Sequence, residues 1–183
     1  PGEKIIVSPE GTAEGKGTEA SPLDLKTAVA YVQPGQQIIC KVGTYELTEG
    51  IKIEDGIDGT SENRIYLLSD PAETKNTAVF DFKGQGKGLV LWGDYWYIKG
   101  ISVTNTADGQ KGIQVAGNNN VLELVKAYKN GNTGIQVSGQ STDPASKWPK
   151  NNLILNCTSF DNSDAAMEDA DGFAAKLTTG EGN

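Results

Sequence analysis

The sequence has 183 residues, 37% of them hydrophobic, and is long enough to form one domain with a sizeable core. Its Lys and Arg residues number 16 against 24 Asp and Glu, and this net charge of -8 argues against a nucleic-acid partner. It contains no histidine, which excludes the usual general base, the usual zinc ligand and every histidine-activated nucleophile. Any chemistry must therefore rely on carboxylates, lysine, arginine or a metal ion.

Two features bear on the cellular setting of the chain. No apolar stretch approaches the length of a membrane span, and the chain begins at Pro1 rather than methionine, so we expect a mature segment whose signal peptide has been removed. Cys40 and Cys157 are far apart and lie in apolar, strand-like runs, so we expect buried free thiols rather than a disulfide.

Residues 1–36 are predicted to form a cap region with one amphipathic helix at about 22–32. Ser21 is expected to be its N-cap, with Pro22 in the first turn and Asp24 near the positive end of the helix dipole. Pro34 and Gly35 are expected to stop it. The helix would cover the first coil of a solenoid, and its predicted apolar face contains Leu25, Ala28, Val29 and Val32.

From residue 37 onward, short apolar runs predict strands. A glycine-led tetrapeptide recurs at Gly88, Gly112 and Gly134, with spacings of 24 and 22 residues, and again at Gly172 after 38. We expect a polar insertion at 140–150 to account for the longer gap. The upstream strands are predicted at 37–42, 51–53, 64–68 and 78–82.

A second apolar run recurs between these glycine-led strands, at 97–103, 121–127 and 153–159. It places Ile101, Val125 and Cys157 in equivalent positions. Asparagine-rich turns separate the runs, because asparagine tolerates the left-handed backbone of tight corners. Asn130 and Asn162 are predicted to stack as a ladder between coils.

A repeat of 22 to 24 residues with short strands and sharp turns is typical of a parallel β-helix. A leucine-rich repeat is the nearest competitor, but no Leu-x-x-Leu-x-Leu frame recurs. We therefore predict a single all-β domain over 1–183, with coils from 37 to 183. No second cap is evident near Asn183, so we expect the β-helix to be truncated at the C-terminus.

The last segment contains a dense set of carboxylates, and oxygen ligands of this kind suit a hard cation. Their spacing does not match an EF-hand, so a solvated charged turn is the simpler interpretation. Asp171 favours a metal ion most, because it directly precedes a strand and would stand at its end. The candidate ligands are Asp161, Asp164, Glu168, Asp169 and Asp171.

Lys176 is the candidate base, because a lysine near a divalent cation loses affinity for its proton. An ion pair with a neighbouring carboxylate is the better interpretation. Aromatic side chains can stack on sugars, but core packing is their commoner use, and we assign none of them to substrate. These aromatic residues are Trp92, Tyr95, Trp96, Tyr97 and Tyr128.

Together with the asparagine-rich segments 117–121, 130–137 and 156–162, the stretch from Asp169 to Asn183 resembles polysaccharide lyase family 9. The resemblance is strongest from about residue 89 onward. It implies a secreted, right-handed parallel β-helix that binds calcium and cleaves polygalacturonate, or a related uronic-acid polymer, by β-elimination. In that reaction calcium binds the substrate carboxylate and acidifies the C5 proton, which a lysine removes.

Only part of the family's site is carried over. Asp171 matches the first calcium-binding aspartate, in the motif Asp-Gly-Phe-Ala-x-Lys. The family's Asp-Asp-Gly-x-Asp motif and its catalytic lysine come later and are absent here, so Lys176 does not inherit the role of base. The resemblance thus implies one metal ligand, Asp171, no catalytic residue, and an inactive chain that needs the C-terminal coils of a parent protein.

Two alternatives remain open. A non-catalytic β-helix could serve as a carbohydrate-binding or surface module. An inverting hydrolase is weaker, because it requires two carboxylates placed across a cleft.

Overall fold

The computed structural model describes residues 3–183, which wind into a solenoid of short parallel strands. Within this range the elements are, in order, β1 (Lys4–Thr12), α1 (Leu25–Tyr31), β2 (Gln37–Cys40), β3 (Gly43–Glu46), β4 (Ile51–Ile53), β5 (Ile65–Ser69), β6 (Ala78–Asp81), β7 (Leu89–Leu91), β8 (Trp96–Lys99), β9 (Ser102–Thr104), β10 (Ile113–Val115), β11 (Val121–Glu123), β12 (Lys126–Tyr128), β13 (Ile135–Val137), β14 (Leu153–Leu155), β15 (Thr158–Phe160) and β16 (Phe173–Ala175).

The strands form three sheets. Sheet 1 has the order β1-β2-β5-β8-β11-β14, sheet 2 contains β3, β6, β9, β12 and β15, and sheet 3 contains β4, β7, β10, β13 and β16. From β2 onward, each coil contributes one strand to each sheet in turn. Equivalent residues of successive coils therefore stack in columns, as in Leu89, Ile113, Ile135 and Phe173. This arrangement confirms the predicted parallel β-helix.

The core fills the space between the sheets. Strands alternate inward and outward residues, so Ile113 and Val115 are fully buried while Gln114 between them is partly exposed. Large side chains such as Phe80 and Trp96 are fully buried, and Trp96 Nε1 donates to the Ile57 carbonyl at 2.7 Å. Burial along the column ends in the last coil, where Phe173 is 50% exposed and Ile135 beside it only 1%.

The second recurring run is two strands rather than one. The segment 97–103 divides into β8 and β9, which belong to different sheets, and 121–127 and 153–159 divide in the same way. The two strands are joined by a two-residue corner whose second residue is Ile101, Val125 or Cys157. The corner shifts the period-two alternation by one residue, because the inward residues on either side of it, such as Ile98 and Ile101, are three positions apart.

A residue with positive φ occurs at each of three corners. Gly100, Leu124 and Asn156 form one column, with φ of 73°, 55° and 52°, between sheets 1 and 2. The other two columns occur where the chain leaves sheet 2 and enters sheet 1. The column after sheet 2 contains Asn105, Lys129 and Asp161, and the column before sheet 1 contains Tyr95, Asn119 and Asn151. Asparagine or aspartate occupies most of these left-handed positions, as expected.

The predicted ladder of Asn130 and Asn162 is confirmed. Asn162 Oδ1 accepts from Asn130 Nδ2 at 2.9 Å and from Asn130 N at 3.1 Å, and both residues are buried. A second ladder, which was not predicted, connects Asn120, Asn152 and Asn183 through bonds of 3.0 Å. The ladders satisfy backbone groups at corners where no strand partner is available.

Helix α1 covers the first coils, but it begins later than predicted. Asp24, not Ser21, is the N-cap, and its Oδ1 accepts from Thr27 N at 2.8 Å. Residues 21–23 are extended, because Leu23 bridges to β1 and this pairing competes with helix formation. The predicted apolar face is confirmed, with each side chain no more than 2% exposed: Leu25, Ala28, Val29 and Val32.

The long gap before Gly172 has two causes rather than one. The connection of β13 to β14, 138–152, contains the predicted insertion, while 161–172 forms a second enlarged turn between β15 and β16. The residue pattern also did not predict strands β1 and β3.

Cys40 is buried and Cys157 is partly buried, and both are free thiols. Burial raises the pKa of each thiol. No helix within residues 3–183 has the length and apolar character to cross a membrane.

Candidate functional site

Asp171 lies at the entrance of sheet 3, in the last coil. Its carbonyl accepts from Gly134 N at 2.9 Å, which fixes its backbone beside the preceding coil. Glycine is required at this approach, since a Cβ on Gly134 would lie 2.0 Å from Ser159 Oγ. The Asp171 side chain remains 46% exposed and is available to a ligand.

Lys176 is the partner of Asp171. Its Nζ lies 2.6 Å from Asp171 Oδ2, so the two residues that flank β16 are joined across the outside of the strand. The hydrogen bond to Asp171 raises the pKa of Lys176 above its ordinary value. The ion-pair interpretation of Lys176 is therefore confirmed, and this environment opposes the loss of a proton that a general base requires.

Three other carboxylates of the acidic segment, those of Asp161, Asp164 and Asp169, have separate structural roles, while Glu168 is exposed. Asp164 Oδ1 accepts from the backbone N–H groups of Glu168 and Asp169 at 2.8 and 3.2 Å. Asp169 Oδ2 accepts from Asn132 Nδ2 at 3.2 Å. Asp161 holds a left-handed corner position. Across residues 3–183, no three cysteine, aspartate or glutamate side chains come together as metal ligands would.

The aromatic residues mostly have structural roles. Tyr128 stacks on Phe160 with ring centroids 5.2 Å apart and planes 6° from parallel, and the Arg64 guanidinium lies 5.6 Å from the centre of Tyr95. The Tyr97 hydroxyl donates to Glu123, which lowers the pKa of that carboxyl. Trp92 differs, because it is half-buried and borders an open polar groove.

The sequence analysis did not predict this groove. Its floor contains Asp94 and Asn118, and Asp94 Oδ1 accepts from Asn118 N at 2.6 Å. The two residues are 24 apart, which equals one coil spacing, and this was the signal that could have paired them.

A parallel β-helix with an aspartate exposed at a strand end belongs to the class of solenoid proteins that carry their sites on the outer surface of the coils. A family model described as "Pel9A-like, right handed beta helix region" matches residues 5–183. The chain belongs to this family, and the handedness predicted from the resemblance is thereby confirmed.

Curated relatives are pectate lyases. The chain is 46% identical to a pectate lyase L of Thermoclostridium stercorarium, which it matches over 100% of its own length and 14% of that protein. It is 39% identical to a pectate lyase L of Paenibacillus polymyxa (strain SC2), over 98% of this chain and 40% of the relative.

Among solved structures, the crystal structure of pectate lyase Pel9A superposes with a TM-score of 0.79 and 28% identity. The match covers 98% of this chain and 46% of that one. The chain therefore spans less than half the length of each of these proteins.

Proposed function

We propose that these coils are part of a secreted, calcium-dependent pectate lyase that cleaves polygalacturonate by β-elimination. The observation that carries the proposal is Asp171, which opens β16 within the Asp-Gly-Phe-Ala-x-Lys motif and presents a partly exposed carboxylate. The names of the pectate lyases that the chain resembles support the reaction class. Secretion follows from the substrate, because a polymer of this size is met outside the cell.

The donor set supports one calcium ligand in this chain. A carboxylate oxygen suits Ca²⁺, and Asp171 fits as a single ligand. Calcium takes six to eight oxygens, so its other ligands are expected to be water, the substrate carboxylate and side chains of later coils in a longer protein. When bound, the ion would neutralise the substrate carboxylate and favour loss of the C5 proton.

The residues of this chain position the site rather than perform the proton transfer. Gly134 allows the backbone of Asp171 to lie against the preceding coil, and Lys176 orients the Asp171 carboxylate through the ion pair. The base is expected on a later coil, since the ion pair favours the protonated form of Lys176. The 183-residue chain alone is therefore expected to be inactive.

The test compares this chain with a longer one that includes the following coils. The longer chain should release unsaturated, ultraviolet-absorbing products from polygalacturonate when calcium is present, and the short chain should not. In the longer chain, Asp171→Asn should lower calcium affinity at least about tenfold by titration calorimetry, as loss of a charged ligand does. Asp161→Asn is the matched control and should leave calcium affinity unchanged.

Two results would contradict the proposal. Saturated reducing ends as the only products would indicate hydrolysis instead of elimination. Binding of the polymer with no dependence on calcium and no product would favour a non-catalytic carbohydrate-binding module.

A further inference from the structure

The polar groove at Trp92 runs along the outside of the solenoid at the corner between sheets 3 and 1. Asp171 lies at the opposite edge of sheet 3, where β16 begins. The groove has a volume of about 450 Å³ and crosses four coils. Lys52 and Glu54 line its first coil, Trp92 and Asp94 the second, residues 116–118 the third, and the 138–152 insertion its outer wall.

The insertion that forms this wall is held in place by specific hydrogen bonds. Asp143 Oδ2 accepts from Gln140 N at 3.2 Å, and Trp148 Nε1 donates to the Asp143 carbonyl at 3.1 Å. Lys150 N donates to Asn118 Oδ1 at 3.0 Å and attaches the wall to the floor. The groove is therefore preformed, which lowers the entropic cost of binding a ligand.

The floor presents oriented acceptors. Asp94 lies half-buried, and Asn118 donates to its carboxylate from the backbone at 2.6 Å and from the side-chain amide at 3.1 and 3.2 Å. Asp94 N in turn donates to Asp58 Oδ1 at 2.8 Å. Burial raises the pKa of Asp94. A carboxyl group fixed in this way can accept hydrogen bonds from ligand hydroxyl groups without reorganising.

Trp92 supplies an apolar surface beside these acceptors. The next coil places Ala116 at the same position of the column, since Ala116 N donates to the Leu91 carbonyl at 2.8 Å. The small alanine side chain lines the groove beside Trp92. A flat aromatic face next to hydroxyl acceptors is the arrangement that suits a sugar ring, whose C–H face is apolar and whose edge carries hydroxyls.

The charges of the groove decide which sugar fits. Its lining contains four carboxylates, those of Glu54, Asp55, Asp94 and Asp143, against the two amines of Lys52 and Lys147. The Lys52 amine is occupied by Glu54 at 2.7 Å. A free uronate would be repelled by this lining, whereas an uncharged ring would not.

We propose that this groove binds an uncharged sugar ring, such as a methyl-esterified galacturonate residue, and so favours partly esterified stretches of polymer. The identity of the polymer rests on the proposed lyase function, while the preference for an uncharged ring rests on the groove alone. Binding here requires no calcium and no bond cleavage.

The test measures dissociation constants by NMR titration of the 183-residue chain in calcium-free buffer at low ionic strength. The probes are a fully methyl-esterified galacturonate trimer and the same trimer with free carboxylates. The ester should bind several-fold more tightly, and the difference should shrink in high salt because the repulsion is screened. Equal or tighter binding of the free acid would overturn the proposal.

Three variants locate the site. Trp92→Ala should weaken ester binding about tenfold, as loss of an aromatic contact does, and Trp92→Tyr should retain most of it. Tyr128→Ala is the matched control, because Tyr128 is also half-buried but lies on sheet 2, and it should bind as the parent chain does. Unchanged ester binding in a folded Trp92→Ala chain would overturn the proposal.

Lys147→Glu provides a check that does not depend on Trp92. It lies on the exposed rim, so it should weaken binding of the free acid further and leave ester binding unchanged. An equal loss for both trimers would contradict the charge argument. A chain that binds the ester while its longer form fails to release unsaturated products would retain this inference and reject the lyase proposal.

Discussion

The two ends of the solenoid differ in how far their inward side chains are buried. At the first coils, α1 lies across the open end, and inward side chains such as Ile38 are fully buried. In the last coil the corresponding side chains have a neighbour on one side only, and Phe173 is 50% exposed where Ile135 in the same column is 1% exposed. An inward position in a β-helix is therefore buried by the coils or cap on both sides, not by its own sheet.

The largest expected effect compares a covered and an uncovered core position. Ile38→Ala should lower the free energy of unfolding by about 2–5 kcal/mol, because it removes fully buried methyl groups and leaves a cavity. Phe173→Ala removes a larger side chain but should cost less, about 1 kcal/mol, since half of that side chain is already in water. Urea unfolding followed by circular dichroism measures both, and equal losses would show that the last coil is as well packed as the first.

The next effect concerns how the last coil is attached. Asn162→Ala should cost about 1–3 kcal/mol, because it leaves Asn130 N buried without its acceptor and removes one of the two acceptors of Asn130 Nδ2. The exposed Asn63→Ala is the control and should change the unfolding midpoint little. If both variants have the same unfolding midpoint, the last coil is held by burial of its side chains rather than by the asparagine ladder.

The cap at the other end depends partly on Asp24. Asp24→Ala should destabilise the chain by about 1 kcal/mol, because Thr27 N and Thr27 Oγ1 both lose an acceptor. Asp24→Ser keeps a capping oxygen and should recover most of the loss in thermal unfolding. A Ser variant as unstable as the Ala variant would indicate that capping is not the cause.

The smallest effect is a gain. Leu124 is 48% exposed with φ of 55°, in the column where Gly100 and Asn156 precede and follow it. Leu124→Gly should raise the free energy of unfolding by about 0.5–1 kcal/mol, because glycine adopts positive φ without strain. Gly100→Leu is the reverse substitution and should destabilise. A loss of stability in Leu124→Gly would mean that packing of the leucine outweighs its backbone strain.

Several elements could be predicted from residue pattern alone. The repeat spacing predicted the coils, and the glycine-led strands matched because Gly88, Gly112 and Gly134 lie where the adjacent backbone approaches too closely for a Cβ. The ladder of Asn130 and Asn162 followed from their equivalent positions after the second recurring run, 32 residues apart. The start of α1 was wrong because pairing of Leu23 with β1, a contact across the cap, overrode the local capping signal of Ser21.

The candidate site was predictable only in part. Asp171 was anticipated from a short local motif, and so was an ion pair of Lys176 with a neighbouring carboxylate, which the structure shows to be Asp171. The acidic neighbours were counted together because they are close in sequence, but the turn at 161–172 directs Asp164 and Asp169 to backbone and asparagine donors instead. The groove at Trp92 was missed because its lining comes from four coils and no segment contains it.

The sequence by itself determined the repeat, its strand period and the positions of the tight corners, because these depend on spacing and on which residues tolerate positive φ. Only the tertiary structure decided where each apolar run divides between two sheets and which outward side chains meet. The physical reason is that columns across coils join residues 22 or more positions apart, and their contacts depend on insertions such as 138–152 that set the relative placement of the coils.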